Sequence, residues 1–436
     1  MKPLEVIVLL PDFTPLGPVN RMTALRWTER VRAFGDFELW CPLTPENAEY
    51  LVQENLIWIG TESVGVIEVS QKTKDEEGSL GLHISGRFNE CWLDRRIVWD
   101  QYSRTDYVSN HMRNMVYENA VNPSSSVRKI PGVVLSESQS VKGSSVAYQA
   151  HRSGLWDSLL ELGTVHGLNP RLINDVPSKT CQFTVLDSTD RSREQSKVPA
   201  VVLSSDLNDV LSSDYLSDLT SSKNMAIVAG SGEGINRKTA FINDTASGLN
   251  RRELYVDARD LSDMEEWNSE TTTQVRLIST VQDTSGSAVY ITRTTITKVL
   301  THPDTGETRT TVDSYGEVLT SAPQTGTTVE TGTEEIPIAD DVYAQMLSER
   351  GRAVLSENPK VEAFNSQIRT KGIRVYTYGE DYFLGDRITV EDRDLLIQVS
   401  TEVTEVEHAW DSDGYSVILT LGTSAPTITQ LIRKRS

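Results

Sequence analysis

A glycine-rich loop, a serine and lysine pair, an acidic turn and six scattered histidines are the residues whose types and spacing could do chemistry. Gly230, Gly232 and Gly234 follow the apolar run NMAIVA, and such a loop can cradle phosphate when a helix N-terminus follows it. The next residues, INRKTAFIND (235 to 244), alternate like a strand, so the loop is expected to be a hairpin turn. Ser126 and Lys129 match the S-x-x-K spacing that lets a lysine activate a serine, yet Pro123 and Pro131 bracket them and no SDN or KTG accompanies them. Asp411, Asp413 and Gly414 resemble part of a calcium loop, but the twelfth position is Gly422 and not a bidentate glutamate; a tight hairpin turn is expected. His83, His111, His151, His166, His302 and His408 form no HExxH or HxH pair. His408, among Glu402, Glu405 and Glu407, reads as part of a solvated acidic strand face. Cys41, Cys91 and Cys181 are odd in number and far apart, which argues against a disulfide framework or a zinc site. No catalytic, cofactor-binding or metal-ligating residue is assigned, and no cofactor is expected. A carboxylate pair for glycoside cleavage leaves no linear motif, so with 62 acidic residues that alternative stays open.

The elements that would position such residues fall into blocks. From Pro3 to Trp99, short alternating runs such as FELWCPL (37 to 43), LIWIG (56 to 60), VGVIEVS (64 to 70) and GLHISGRF (81 to 88) predict half-buried antiparallel strands. TPENAEYLV (44 to 52) predicts one short helix, with Thr44 as its cap and Pro45 at its first position. Helical spacing then appears over 105 to 121 and 153 to 167, the second ending at Gly167, beside the strand TCQFTVLD (180 to 187). Strands return at 224 to 234, 237 to 244 and 251 to 261. Residues 270 to 335 hold 20 Thr and no Trp, the mark of an exposed sheet with hairpin tips at VQDTSGSA and HPDTGETR. A helix is expected over 338 to 358, with Val342, Met346, Leu347 and Val354 on one face, and final strands over 387 to 392, 396 to 408 and 415 to 422.

Forty-two basic against 62 acidic residues give a net charge of −20, which disfavours ordinary nucleic-acid binding. The apolar run Val6 to Leu10 is too short for a signal peptide, and no segment reaches the roughly 18 apolar residues of a membrane span. Export by lysis or within a particle is the expectation.

Several blocks together resemble one family. They are 37 to 60, LDRRIVWDQ (93 to 101), NMVYENAVNPSSSVRKIPGVVL (114 to 135), 228 to 261, YGEDYFLGDRITVED (378 to 392) and 403 to 422. In this order they resemble the siphophage baseplate hub or tail-associated proteins, whose fold is similar to the central hub of contractile phage tails. The resemblance implies an α+β, mostly β chain with two tube-like β-barrel domains, the second discontinuous, an α+β domain between them and an inserted Thr-rich β-module. The expected boundaries are 1–100 for the first barrel, 101–196 for the α+β domain, 197–268 plus 360–425 for the second barrel, 269–359 for the insertion with its helix, and 426–436 for a tail. It further implies a structural homotrimer in the virion at the tail tip or baseplate, assembled in the host cytoplasm, that adapts sixfold tail rings to a threefold tip. Its implied partners are a distal tail protein, a tape measure protein and a central fibre or spike protein, with viral DNA passing through the lumen without specific binding. The alternative on the same scaffold is a tail-associated peptidoglycan hydrolase. Many family members continue into a lytic or fibre domain, whereas this sequence ends at QLIRKRS, so such an activity is expected on another polypeptide.

Overall fold

The computed structural model describes residues 5–60, 63–137, 140–207, 210–303, 305–368 and 376–422. The expected tail 426–436 lies outside them. By compactness the chain divides into two units, one built on residues up to 229, 239–258 and from 346 onward, the other on 230–238 and 259–345.

In the first unit the alternating runs fold as their period demands. Strands β1 (Val6–Leu9), β2 (Pro15–Pro18), β3 (Ala24–Arg30), β4 (Asp36–Pro42), β5 (Leu56–Ile59), β6 (Ser63–Lys74) and β7 (Leu80–Phe88) lie in the order β3-β4-β7-β6-β5-β1-β2. Leu25, Trp27, Phe37, Leu39, Leu82 and Ile84 point to one buried face, while the residues between them face outward. Helix α1 (Pro45–Tyr50) is capped as expected, the Thr44 hydroxyl accepting from the Asn47 N–H. Two glycines permit close strand approach. A Cβ on Gly86 would lie 1.8 Å from the Val66 carbonyl oxygen, beside a bulge in β6, and one on Gly65 would lie 2.5 Å from the Phe37 ring.

Helix α2 (Cys91–Asp94) leads into a layer of β8 (Tyr102–Tyr107), α3 (Val108–Val116), β9 (Val133–Leu135), β10 (Ser145–Ala150), α4 (Leu155–His166), β11 (Leu168–Asp175) and β12 (Thr180–Asp187). The helix expected from 105 starts only at Val108. Tyr102–Tyr107 is a strand paired with β10, and a π turn over Tyr117–Val121 completes the helical stretch. Gly167 ends α4 in the left-handed conformation, φ 67°. Met112, Met115, Leu155, Leu159, Leu162 and Phe183 form the core here, joined to Leu9, Leu56 and Val66 of the preceding sheet.

Strands β13 (Val202–Ser204) and β14 (Val210–Asp218) precede a three-stranded sheet of β15 (Met225–Ala229), β16 (Thr239–Ile242) and β17 (Glu253–Asp257). The second unit carries a four-stranded antiparallel sheet: β18 (Met264–Gln282), β19 (Ala288–Thr301), β20 (Thr308–Leu319) and β21 (Gly326–Pro337), ordered β20-β19-β18-β21. VQDTSGSA and HPDTGETR lie at its hairpin turns as expected. β20 and β21 are exposed along nearly their whole length, whereas Trp267 and Tyr343 are fully buried in this unit. The Tyr343 hydroxyl accepts from the Ser231 N–H at 2.9 Å and donates to the Leu261 carbonyl at 3.0 Å, tying three segments of the unit. Helix α5 (Asp340–Ser356) buries Tyr343, Met346, Leu347, Ala353 and Leu355, with Val342 and Val354 half-buried.

The last strands, β22 (Val361–Ile368), β23 (Arg387–Asp392), β24 (Ile397–Asp411) and β25 (Gly414–Gly422), return to the first unit. They join β14 in the order β14-β22-β25-β24, and β24 then pairs antiparallel with β3 from Glu405↔Arg30 to Trp410↔Leu25. The two β-rich parts of this unit thus share one sheet of 13 strands. The fold is mostly β, and its strand order is open, running from β14 to β2, so no closed barrel forms among the described residues.

Candidate functional site

The β24 to β3 junction places residues some 380 positions apart side by side, and on it the chain concentrates its polar and aromatic groups. On the inward face Trp27 and His408, partners in register, stack with ring centroids 4.6 Å apart and planes 10° from parallel. The His408 Nδ1 and the Tyr415 hydroxyl share a 2.6 Å hydrogen bond. The Tyr378 hydroxyl donates to Glu29 Oε2 at 2.9 Å, and the Ser63 hydroxyl donates to Glu29 Oε1 at 3.3 Å. Aromatic pairs of this kind contribute about 0.5–1.5 kcal/mol beyond the area they bury. The stack also joins the core around Leu25 and Phe37 to that around Val406 and Leu419, with Tyr415 touching both.

The expectation of a solvated His408 is overturned. It is 5% exposed, and its Nε2 has no hydrogen-bond partner among the described residues. Alternation explains this: Glu405 and Glu407 face outward, so His408 between Glu407 and Ala409 must face in. Burial pulls its pKa below the ordinary value, against a smaller opposing pull from the Glu29 carboxylate. Burial and Glu29 likewise raise Tyr378 and push Tyr415 up to about 12. Beside the stack a cleft of about 250 Å³ is lined by Glu29, Ser63, Asn89, Glu90, Arg171 and Tyr378. Arg171 lies 3.7 Å from Glu90 and donates to the Arg30 carbonyl.

The outward face of the same strands is charged. Glu407, Thr28, Asp36 and Arg87 form one row across β24, β3, β4 and β7, with Arg26, Glu38 and Ser85 in the next. Arg30 bridges Asp36 at 2.6 Å and Glu405 at 3.2 Å, Arg32 pairs with Glu402, and Arg87 holds Glu68 at 2.8 Å. Five carboxylates (Asp36, Glu38, Glu68, Glu405, Glu407) against three guanidiniums (Arg26, Arg30, Arg87) leave this face acidic.

The motif fragments do not converge on it. Gly230, Gly232 and Gly234 lie in the loop between β15 and β16, and a Cβ on Gly232 would meet the Asn236 carbonyl at 2.6 Å. Ser126 opens a 3₁₀ turn that ends before Lys129. Asp411 and Asp413 form the tight turn between β24 and β25, where the Asp413 N–H donates to Asp411 Oδ1. His83 stacks on Trp40, His111 bonds Tyr102 and the Val146 carbonyl, and His166 bonds Glu349. Burial pushes the thiols of Cys41 to about 11 and of Cys91 and Cys181 to about 12. Among the described residues no group of three His, Cys, Asp or Glu could hold a metal.

The model of the Siphovirus ReqiPepy6 Gp37-like protein family matches residues 5–423, a span that includes both strands of the junction. The chain belongs to this family. No curated protein matches the sequence. Among solved structures, the 43 kDa tail protein of prophage MuSo2 from Shewanella oneidensis matches with TM-score 0.50 and 10% identity, over 96% of this chain and 98% of that one. The tail protein from Neisseria meningitidis MC58 matches with TM-score 0.49 and 12% identity, over 97% of each chain. The prophage tail protein gp18 from Listeria monocytogenes EGD-e matches with TM-score 0.46 and 8% identity, over 98% of each. The family member described here is therefore a siphovirus-family protein with the fold of a phage tail protein, as the sequence blocks implied.

Proposed function

We propose that this chain is the hub of a siphophage tail tip, a structural protein of the virion whose three copies close a ring beneath the last sixfold ring of the tail. The observation that carries the reading is the β24 to β3 pairing, which sets two β-domains edge to edge in one subunit. Three such subunits present six domains, the number a sixfold ring requires. The open strand order supports closure between subunits, because a free edge is a liability that assembly removes. β2 is blunted by Pro15 and Pro18, whereas β14 is nine residues long, proline-free, and exposes Leu211 and Leu216.

In this reading the domains bend into tube-like barrels only within the ring, and the acidic outward face of β24, β3, β4 and β7 lines the lumen. DNA then slides past carboxylates and does not adhere to lysine and arginine. A distal tail protein above, the tape measure protein within and a fibre or spike protein below complete the assembly. Image reconstruction of intact tails carrying a tag on this chain tests the reading. Three copies at the tip with Glu38 and Glu407 facing the channel support it; copies along the shaft, or a basic lumen, refute it.

A further inference from the structure

On a chain of net charge −20, a cluster of basic residues lies around Arg96 and Arg128. The segment Arg95–Trp99 and the turn Ser126–Arg128 are bound to each other: Arg96 Nε donates to the Arg128 carbonyl at 2.6 Å, and Arg128 Nη2 donates to the Ile97 carbonyl at 2.5 Å. Arg152 joins them through its N–H to the Val98 carbonyl. The side-chain hydrogen bonds of Arg96 end on backbone carbonyls, those of Arg128 on Ile97 O and Asn119 Oδ1, and among the described residues neither forms an ion pair. Arg95, by contrast, is paired with Glu54 at 2.7 Å. The pKa of Arg96 is lowered, first by burial and then by Arg128 and Arg95. Lys129 and Arg152 are exposed beside them.

Two apolar side chains sit in the same patch. The Arg128 guanidinium lies 5.5 Å from the centre of the Trp99 ring, which is 52% exposed, and Val127 is 87% exposed. The Arg128 guanidinium against an exposed tryptophan, with Arg96 bonded to the Arg128 backbone and exposed Val127 and Lys129 beside it in sequence, forms a surface that gains by meeting carboxylates with apolar neighbours. Arginine and tryptophan are also the residue types that dominate binding energy when such a surface is covered.

We infer that the Arg96, Arg128 and Trp99 patch is one half of the contact between copies of this chain, receiving a carboxylate-rich surface of the next copy. Charge complementarity selects the occupant. Over the whole chain 62 acidic residues outnumber 42 basic ones, and the run Asp75, Glu76 and Glu77 at the β6 to β7 turn is exposed and carboxylate-rich. A basic patch that meets an acidic patch elsewhere on an identical chain is a heterologous contact, the kind that closes a ring. Nucleic acid is the less favoured occupant, because the few local cations work against the field of the whole chain. The inference rests on the proposed ring and adds the side chains that hold it.

The test uses the full chain and three variants. Val127→Glu adds a negative charge without removing any hydrogen bond, Lys129→Glu reverses an exposed cation, and Arg96→Glu with Arg128→Glu reverses the centre. Each is expected to weaken self-association at least tenfold by sedimentation, with the far-UV spectrum of Val127→Glu unchanged. Zero-length carbodiimide cross-linking of mixed isotope-labelled and unlabelled protein should join Lys129 of one copy to an Asp or Glu of another. If the wild type forms trimers and Val127→Glu and Lys129→Glu form them equally well, the patch is not the contact, while the ring reading survives. A wild type that never associates overturns both. Salt-sensitive retention of duplex DNA by the wild type, lost in Lys129→Glu, assigns the patch to nucleic acid and overturns the inference.

Discussion

Replacing His408 with Phe should change how the stability of the first unit depends on pH. The flat ring against Trp27 is kept, while the titrating nitrogens and the bond to Tyr415 go. Because the native pKa of His408 is depressed, the unfolded chain binds a proton that the native chain refuses as pH falls below the ordinary histidine value of about 6.5. Stability due to the neutral imidazole is thus complete above that value and is lost as pH falls from it toward the native pKa. One proton sets the slope at up to about 1.4 kcal/mol per pH unit. His111, also lowered by burial, adds the same kind of slope, but it is present in both proteins and cancels in the difference. Urea unfolding followed by tryptophan fluorescence from about pH 7.5 to about pH 5 gives both curves. His408→Phe should be less stable than wild type near neutrality by about 1 kcal/mol for the lost hydrogen bond, and the gap should close or reverse as pH falls. Parallel curves, or a gap between the two proteins that widens on acidification through this range, would refute a buried neutral histidine at the junction.

Gly86→Ala should destabilise the first unit by about 3 kcal/mol or more, because its Cβ meets backbone and no flexible side chain can yield; calorimetry reads this, and a change below about 1 kcal/mol contradicts the packing. Tyr343→Phe should cost the second unit about 1–3 kcal/mol and speed amide exchange at Ser231, since one hydroxyl serves two buried partners. Glu405→Gln should cost at most about 1 kcal/mol, less at high salt, since its ion pair with Arg30 is partly solvated; a loss of several kcal/mol would show the charged face to be structural. Joining Ser269 to Gly332, which are partners in register, through Asn-Gly removes most of the Thr-rich sheet and should leave the unfolding of the first unit unchanged.

Much of this fold is legible because short strands punctuated by turn residues carry a local signal. FELWCPL and GLHISGRF alternate cleanly, Thr44 and Pro45 announce α1, and Gly167 announces the end of α4. Tyr102–Tyr107 escapes because its residues extend the helical pattern of 108 to 121 backwards, and only pairing with Ser145–Ala150 makes it a strand. β14 escapes because LSSDYLSD, an edge strand, buries little and so shows little alternation. The junction has no local signature: ALRWTER and VEHAW each alternate, but nothing in either names the other as its partner. The burial of His408 is equally hidden in the sequence, because Glu405 and Glu407 flank it along the chain but lie on the opposite face of the strand.

Native mass spectrometry of this chain over a range of concentrations decides between a threefold hub and its alternatives. A threefold hub appears as a dominant species of three times the 48.5 kDa chain mass, without adducts needed to hold it together. A protein that remains a monomer at the highest concentration, or one that assembles as a hexamer, would contradict a threefold hub built from paired β-domains.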